Sequence, residues 1–353
     1  SLIGEEGYRV GIYTFHSFAS DVINKYPEYF FEGAKFKPAT EIDQINIIEN
    51  ILKALPRKNP LSSKHPEQGF VYTRDIIASI RDLKKGGYTP ESFAEKLKQN
   101  INNLHKLKNI FAGLEEIAGR RKYSEIIEVY NEIYQKLEKL RKENDIAEVL
   151  YNTLEINIKK ASIDQKSKYL TSWKNAYSQK TESGKFILKD ESPERIEKLE
   201  SLLGVYSQYQ EQLFNSALYD FEDMILFAID AFRKHPNLRA DLQERFQYIM
   251  IDEFQDTNDS QFELILQLSG GGDANVLAVG DDDQAIYKFQ GAKLNNIYSF
   301  VENFPNRKVI VLDKNYRSTQ EILDFARNVI VKAEDRLETR DININKKIKA
   351  ENL

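Results

Sequence analysis

The chain has 353 residues, of which 41% are hydrophobic and 30% charged, with a formal net charge of −5; this is enough length for two or three compact units with a sizeable core. It contains no cysteine, which excludes structural disulfides and thiolate metal centres and makes a cytoplasmic setting natural. The acidic balance excludes a global field that attracts nucleic acid, so any such contact has to come from local patches, and no apolar run reaches the length of a membrane span, so no membrane partner is expected.

The N-terminal residues 1–7 lack the basic and apolar regions of a signal peptide and an initiator Met, and read as the start of a processed or excised piece. Arg9 to Thr14 is an apolar run predicted as a buried strand that leads into Phe15-His16-Ser17-Phe18. Strand signals then nearly vanish until Phe246. Apolar residues at helical spacing predict helices over 42–55, 73–85, 90–108, 125–142 and 194–214. Thr89-Pro90 and Ser192-Pro193 each place a cap residue before proline at the first helical position. The polar stretch 162–191 holds the only tryptophan, Trp173, and predicts a long loop or weakly ordered arm; Trp173 is either a stacking arm or an anchor. The four histidines, His16, His65, His105 and His235, lack metal-pair spacing.

Tyr248 to Ile251 is a second predicted buried strand, and Val276 to Gly280 a third that runs into Asp281-Asp282-Asp283. Between them Asn258 or Asp259 caps a helix that stops at Gly270-Gly271-Gly272. Val309 to Leu312 is a fourth strand leading into Asn315-Tyr316-Arg317-Ser318, where Ser318 and Glu321 make a capping box for the next helix. From Lys332 onward the alternating charges predict a helix end and a tail with nothing left to pack on. Strand followed by helix, at both ends of the chain, is the pattern of a parallel α/β sheet; the middle reads as an inserted helical domain.

The strand at 248–251 ends in Asp252 and Glu253, with Gln255 and Asp256 one turn further on. Open α/β sheets place ligands at the carboxyl ends of their strands. One of two adjacent carboxylates can help to hold Mg²⁺ while the next handles a proton, a division of labour suited to nucleotide hydrolysis.

Five elements stand in order: Thr14-Phe15-His16-Ser17-Phe18-Ala19, Asp220-Phe221-Glu222-Asp223, Ile251 to Asn258, Val279 to Ala292, and Asn315-Tyr316-Arg317-Ser318. The series resembles the superfamily 1 DNA helicases of the UvrD/PcrA/Rep type, matching their motifs Ib, II, III and IV with the acidic Asp-Phe-x-Asp element ahead of motif II. The resemblance implies an α/β fold, a partial RecA-like parallel sheet of the P-loop NTPase type with a large inserted all-helical domain. It divides the chain into motor domain 1A over 1–19 and 217–312, helical domain 1B over 20–216, and the start of motor domain 2A over 313–353. ATP and Mg²⁺ are the implied cofactors, and single-stranded DNA and ss/ds DNA junctions the implied partners, with 3′-to-5′ unwinding. Asp252 would organise Mg²⁺, Glu253 would orient or deprotonate the attacking water, Gln284 would sense the γ-phosphate, Arg317 would reach it from domain 2A, and Tyr316 would stack on adenine. Thr14, Phe15, His16, Tyr287 and Phe289 are the implied DNA contacts, aromatic faces stacking on bases and polar donors holding phosphates; core packing is the alternative for Phe15 and Phe289.

The sequence also departs from that pattern. No Gly-x-x-x-x-Gly-Lys-Ser/Thr occurs, and the only Gly-Lys, Gly184-Lys185, lies in a polar stretch. Motifs V and VI do not follow Arg317. Ala285 stands where the family usually has Ser, and Gln290 where it usually has Arg. The expectation is therefore a fragment that turns over ATP poorly by itself. The long insert offers Arg81, Lys84, Lys85 and the cluster Arg120-Arg121-Lys122 to duplex DNA, the plainer reading being solvated helix ends. Two further readings are a motor segment of a RecB/AddA-like helicase–nuclease and a non-catalytic DNA-binding scaffold that lost its phosphate loop.

Overall fold

The computed structural model describes residues 10–31, 35–66, 69–108, 110–117, 122–272, 274–285, 294–332, 336–340 and 345–351. The described chain is mostly helical, with five two-stranded sheets of two or three residues per strand. It forms two compact units, one of Ser1–Glu41, Ala78–Tyr88 and Leu213–Leu353, the other of Ile42–Ile77 and Thr89–Gln212.

In the second unit the apolar periodicity produces helices Pro90–Leu107 and Tyr123–Leu140. Thr89 caps the first of these: its hydroxyl accepts from Ser92 N at 3.3 Å, and Ser92 Oγ accepts from Thr89 N at 2.9 Å, which satisfies two otherwise orphaned amides. A helix that periodicity did not single out, Asp145–Asp164, begins at Asn144, whose Oδ1 accepts from Ile146 N and Ala147 N.

The stretch 162–191 is not the loop its composition predicts. It contains helix Lys168–Tyr177 and an antiparallel hairpin of Ser178–Lys180 with Phe186–Leu188. Leu170, Trp173 and Leu188 are buried in one core with Phe111, Tyr130 and Leu154. Trp173 stacks on Phe111 at 5.8 Å between ring centroids, and its Nε1 donates to Thr153 Oγ1 at 3.1 Å. It is an anchor: a large ring with its polar atom satisfied orders a segment whose other residues are hydrophilic.

In the first unit helix Asp223–Lys234 packs against helices Phe15–Lys25, Pro236–Arg245 and Asp259–Ser269, with Val22, Ile225, Phe232, Leu238 and Leu264 in the common core. Ile249–Ile251 and Val276–Ala278 form a parallel pair, Ile249 opposite Val276 and Ile251 opposite Ala278. Ile251 is buried with Phe254, Phe262 and Ile265, whereas Met250 and Leu277 are 75% and 51% exposed. The pair is thus covered on one face, as alternation along a strand allows, and not on both as predicted.

The runs predicted as strands at 9–14 and 309–312 form no ladder among the described residues, and Ile12 and Leu312 are 88% and 75% exposed. Apolar side chains do not make a strand unless a neighbour satisfies the backbone. The predicted cap at Ser318 also moves by one residue. Helix Gln320–Ile330 has Thr319 at its N-cap, and Ser318 N donates instead to Asn315 Oδ1 at 2.7 Å. Asn258 and Gly270 bound helix Asp259–Ser269 as expected, Gly270 taking the left-handed φ of +78°.

The tail does pack. Lys349–Ala350 pairs in parallel with Lys314–Asn315, and Arg336 is buried. Lys84 is fully buried, paired to Asp220 and, at 2.7 Å, to Asp223; the structure therefore removes it from the surface cations offered to DNA. No helix of the described residues is long and apolar enough to cross a membrane.

Candidate functional site

At the carboxyl end of the first parallel strand the chain turns sharply. Glu253 lies in the left-handed region, φ +49° and ψ +45°, and the short helical turn Phe254–Asp256 follows. A non-glycine residue held there costs on the order of 1 kcal/mol. Asp252 and Glu253 are both exposed. Asp252 Oδ1 accepts from Glu253 N at 3.0 Å, and Glu253 Oε2 accepts from the Gln255 amide nitrogen at 2.6 Å.

Gln255 is buried, 2% exposed. Its Oε1 accepts from Asp281 N at 3.0 Å, in the turn that follows the neighbouring strand. Asp281 in turn accepts from the Gln284 amide nitrogen at 3.0 Å and from Asp283 N at 3.2 Å. The structure therefore joins Glu253, Gln255, Asp281 and Gln284 by consecutive hydrogen bonds across the ends of two parallel strands.

The three carboxylates of the second turn are ion-paired by two cations from further along the chain. Arg336 donates from Nε and one terminal nitrogen to the two oxygens of Asp283, each at 2.6 Å. Lys346 Nζ pairs with Asp281, with Asp282 at 2.6 Å and with Asp283 at 3.0 Å. Burial works against ionising Asp283, but the bonds from Arg336 and Lys346 outweigh it and hold the carboxyl below its usual range. The same balance raises Lys346. Asp256 behaves oppositely: burial first, and then the charge of Glu253, push its carboxyl up, and its buried Oδ1 has no hydrogen-bond partner.

The predicted DNA contacts fall in several places. Thr14 is exposed and caps helix Phe15–Lys25, its hydroxyl accepting from Ser17 N at 3.1 Å. Phe15 is partly buried and packs against both hydrophobic clusters of this unit. The His16 ring stacks on Phe221 at 3.7 Å between centroids, and its Nε2 lies 3.5 Å from Glu222 Oε2. Phe221 is 57% exposed. Sequence reasoning passed over this ring, although its place in Asp220-Phe221-Glu222-Asp223, apolar between acids that fold inward, was the available signal. Tyr316 and Arg317 are exposed on a separate turn, where Asn315 Oδ1 accepts from Arg317 N at 2.9 Å. Tyr287 and Phe289 lie outside the described residues.

The donor set fits Mg²⁺ in one respect. Asp252 is an exposed carboxylate with one oxygen committed to its own turn, and Mg²⁺ is commonly held by one or two carboxylates with water and substrate phosphate completing the shell. No cluster of three or more His, Asp or Glu with metal-holding geometry occurs among the described residues. Gly184 and Lys185, the only Gly-Lys pair, sit in the turn of the hairpin in the other unit and offer no phosphate cradle beside Asp252.

The family model of the UvrD/REP helicase N-terminal domain matches residues 2–153 and 122–305. ATP-dependent DNA helicase PcrA of Leuconostoc citreum is 44% identical over 131 residues, 37% of this chain and 17% of that protein. PcrA of Bacillus subtilis is 44% identical over 126 residues, 36% and 17% of the two chains. The putative ATP-dependent DNA helicase YjcD of Bacillus subtilis is 35% identical over 196 residues, 56% of this chain and 24% of that protein. The matched part of the chain thus spans only 17% to 24% of the length of these curated relatives.

Proposed function

The chain belongs to the UvrD/REP helicase N-terminal domain family, and from that membership we propose that it is part of the motor of an ATP-dependent DNA helicase that moves 3′-to-5′ on single-stranded DNA and opens ss/ds junctions. The observation that carries this reading is the hydrogen-bonded pair of turns at the ends of the two parallel strands, with Glu253 on one and Gln284 on the other. Such a pair forms one edge of a RecA-like sheet of the P-loop NTPase type, residues 1–19 and 217–312 belonging to the first motor domain, 20–216 to its helical insert and 313–353 to the second motor domain.

In this reading Asp252 would help to hold Mg²⁺, which would supply charge neutralisation at the phosphates of ATP. Glu253 takes or orients the proton of the attacking water, a role worth roughly a hundred- to ten-thousand-fold in rate. Gln284 presents a neutral amide that can both donate and accept. Tyr316 stacks on the adenine, and Arg317 brings a guanidinium to the spread charge of the transition state. Phe15 and the exposed Phe221 on His16 offer rings to bases, joined by Tyr287 and Phe289, while Thr14 and His16 offer polar donors to phosphates.

The test uses the full-length protein with single-stranded DNA. Glu253→Gln is expected to lower ATP turnover by at least a hundredfold while DNA affinity stays within threefold of wild type. A wild-type protein that binds DNA but never hydrolyses ATP would replace the helicase reading by the scaffold reading.

A further inference from the structure

We propose that Gln255 is a positioning residue that ties the carboxylate of Glu253 to the turn carrying Gln284, so that the two act as one unit during ATP hydrolysis; the assignment rests on the function proposed above. A primary amide has one acceptor oxygen and one donor nitrogen, and Gln255 spends them on different turns. Its nitrogen donates to Glu253 Oε2 at 2.6 Å and its oxygen accepts from Asp281 N at 3.0 Å. The orientation of the amide is fixed by its partners, since a backbone N–H can only donate and a carboxylate is the natural acceptor.

The surroundings are built around this side chain. Phe254 N donates to Val279 O at 2.9 Å and Val279 N to Ile251 O at 2.8 Å, which carries the strand pairing up to the two turns. Gly280 lies directly over the amide: a Cβ there would sit 2.6 Å from Gln255 Oε1 and 3.2 Å from the Gln255 backbone nitrogen. The glycine is therefore required by close approach rather than by its dihedral angles. Gln255 is 2% exposed whereas Glu253 is exposed, so water competes poorly for the amide and the carboxylate is held from its inner side while its outer side faces solvent. Beyond Asp281 the link continues to Gln284 Nε2 at 3.0 Å. A displacement of Gln284 by a ligand is thereby transmitted through Asp281 and Gln255 to Glu253.

Among the described residues no other side chain is seen to bridge Glu253 and the Asp281 amide. Asp256, the other polar side chain of the first turn, has a buried oxygen without a partner, and a second carboxylate beside Glu253 would repel it. The geometry requires a side chain of this length that donates on one side and accepts on the other.

Three variants of the full-length protein test the assignment: Gln255→Leu, Gln255→Glu and Gly280→Ala. The readouts are DNA-stimulated ATP turnover, resolved into kcat and KM, and hydrogen exchange at the Asp281 amide without nucleotide. Gln255→Leu removes both bonds; kcat is expected to fall ten- to a hundredfold with KM for ATP within threefold, and Asp281 to exchange at least tenfold faster. Gln255→Glu keeps the acceptor for Asp281 N–H but turns a repelling oxygen toward Glu253; slow exchange is expected to persist while kcat falls as in the leucine variant. Gly280→Ala displaces the amide from outside and is expected to lower kcat at least fivefold. Wild-type kcat within twofold in both Gln255 variants would overturn the assignment alone. Absence of any ATP turnover in the wild-type protein would overturn the functional reading, and this assignment with it.

Discussion

Asp283 illustrates how a single side chain acquires its charge state from a distant part of the chain. Its carboxyl is held below the ordinary range because Arg336 and Lys346 together outweigh its burial. A carboxylate depressed in the folded state stabilises that state fully above its unfolded value, near 3.9, and loses the contribution as pH falls through the lower folded value. Denaturant unfolding of the chain is therefore expected to show stability falling as pH drops below about 4, with a shallower fall in Arg336→Gln. An unchanged acid profile in that variant would show that the pair does not hold the carboxyl down. At this scale the sequence made Asp252, Glu253 and Gln284 legible, because each sits in a short local motif. Gln255 was visible only as one more polar residue of the turn, and the partners of Asp281, Asp282 and Asp283 were not visible at all. Arg336 and Lys346 lie 53 to 65 residues further along, in a segment whose alternating charges look like a solvated tail when partners are unknown.

Between elements, the buried Lys84 links helix Thr73–Lys85 to the start of helix Asp223–Lys234 through Asp220 and Asp223. Burial pushes the Asp223 carboxyl up to about 6, against the pull of Lys84. Three ionisable groups in one dry site contribute little net stability when complete, but removing one leaves the others uncompensated. Lys84→Met is expected to cost about 3–5 kcal/mol in denaturant unfolding, and Lys84→Met combined with Asp223→Asn less than that. A double variant as unstable as the single one would show that charge is not the cause. The helices were legible because their apolar period recurs over several turns, as in Tyr123–Leu140. The segment 162–191 was not, since three buried residues, Leu170, Trp173 and Leu188, organise a stretch that is polar nearly everywhere else. The strand pair was legible in part: the apolar runs marked where chain goes inward, but pairing is a property of two segments, and the runs at 10–14 and 309–312 find no partner among the described residues.

For the molecule as a whole, those apolar runs matter together. Ile12, Met250, Leu277, Ile310 and Leu312 are between 51% and 88% exposed, whereas parallel strands are ordinarily covered on both faces and unpaired edges recruit further strands. The isolated 353-residue chain is expected to self-associate as its concentration rises, which sedimentation velocity over a hundredfold concentration range would detect. A single monomeric species throughout would show that these surfaces do not drive association. The ion pairing of the second turn also has a direction in time. Asp282 and Lys346 are separated by 64 residues, and synthesis proceeds from the amino end at roughly 5–20 residues per second, so the carboxylates precede their cation by several seconds. A nascent chain therefore carries the strand pair with an unbalanced acidic turn until Lys346 has been made, and Lys346 sets the moment at which that end of the sheet can take its final form.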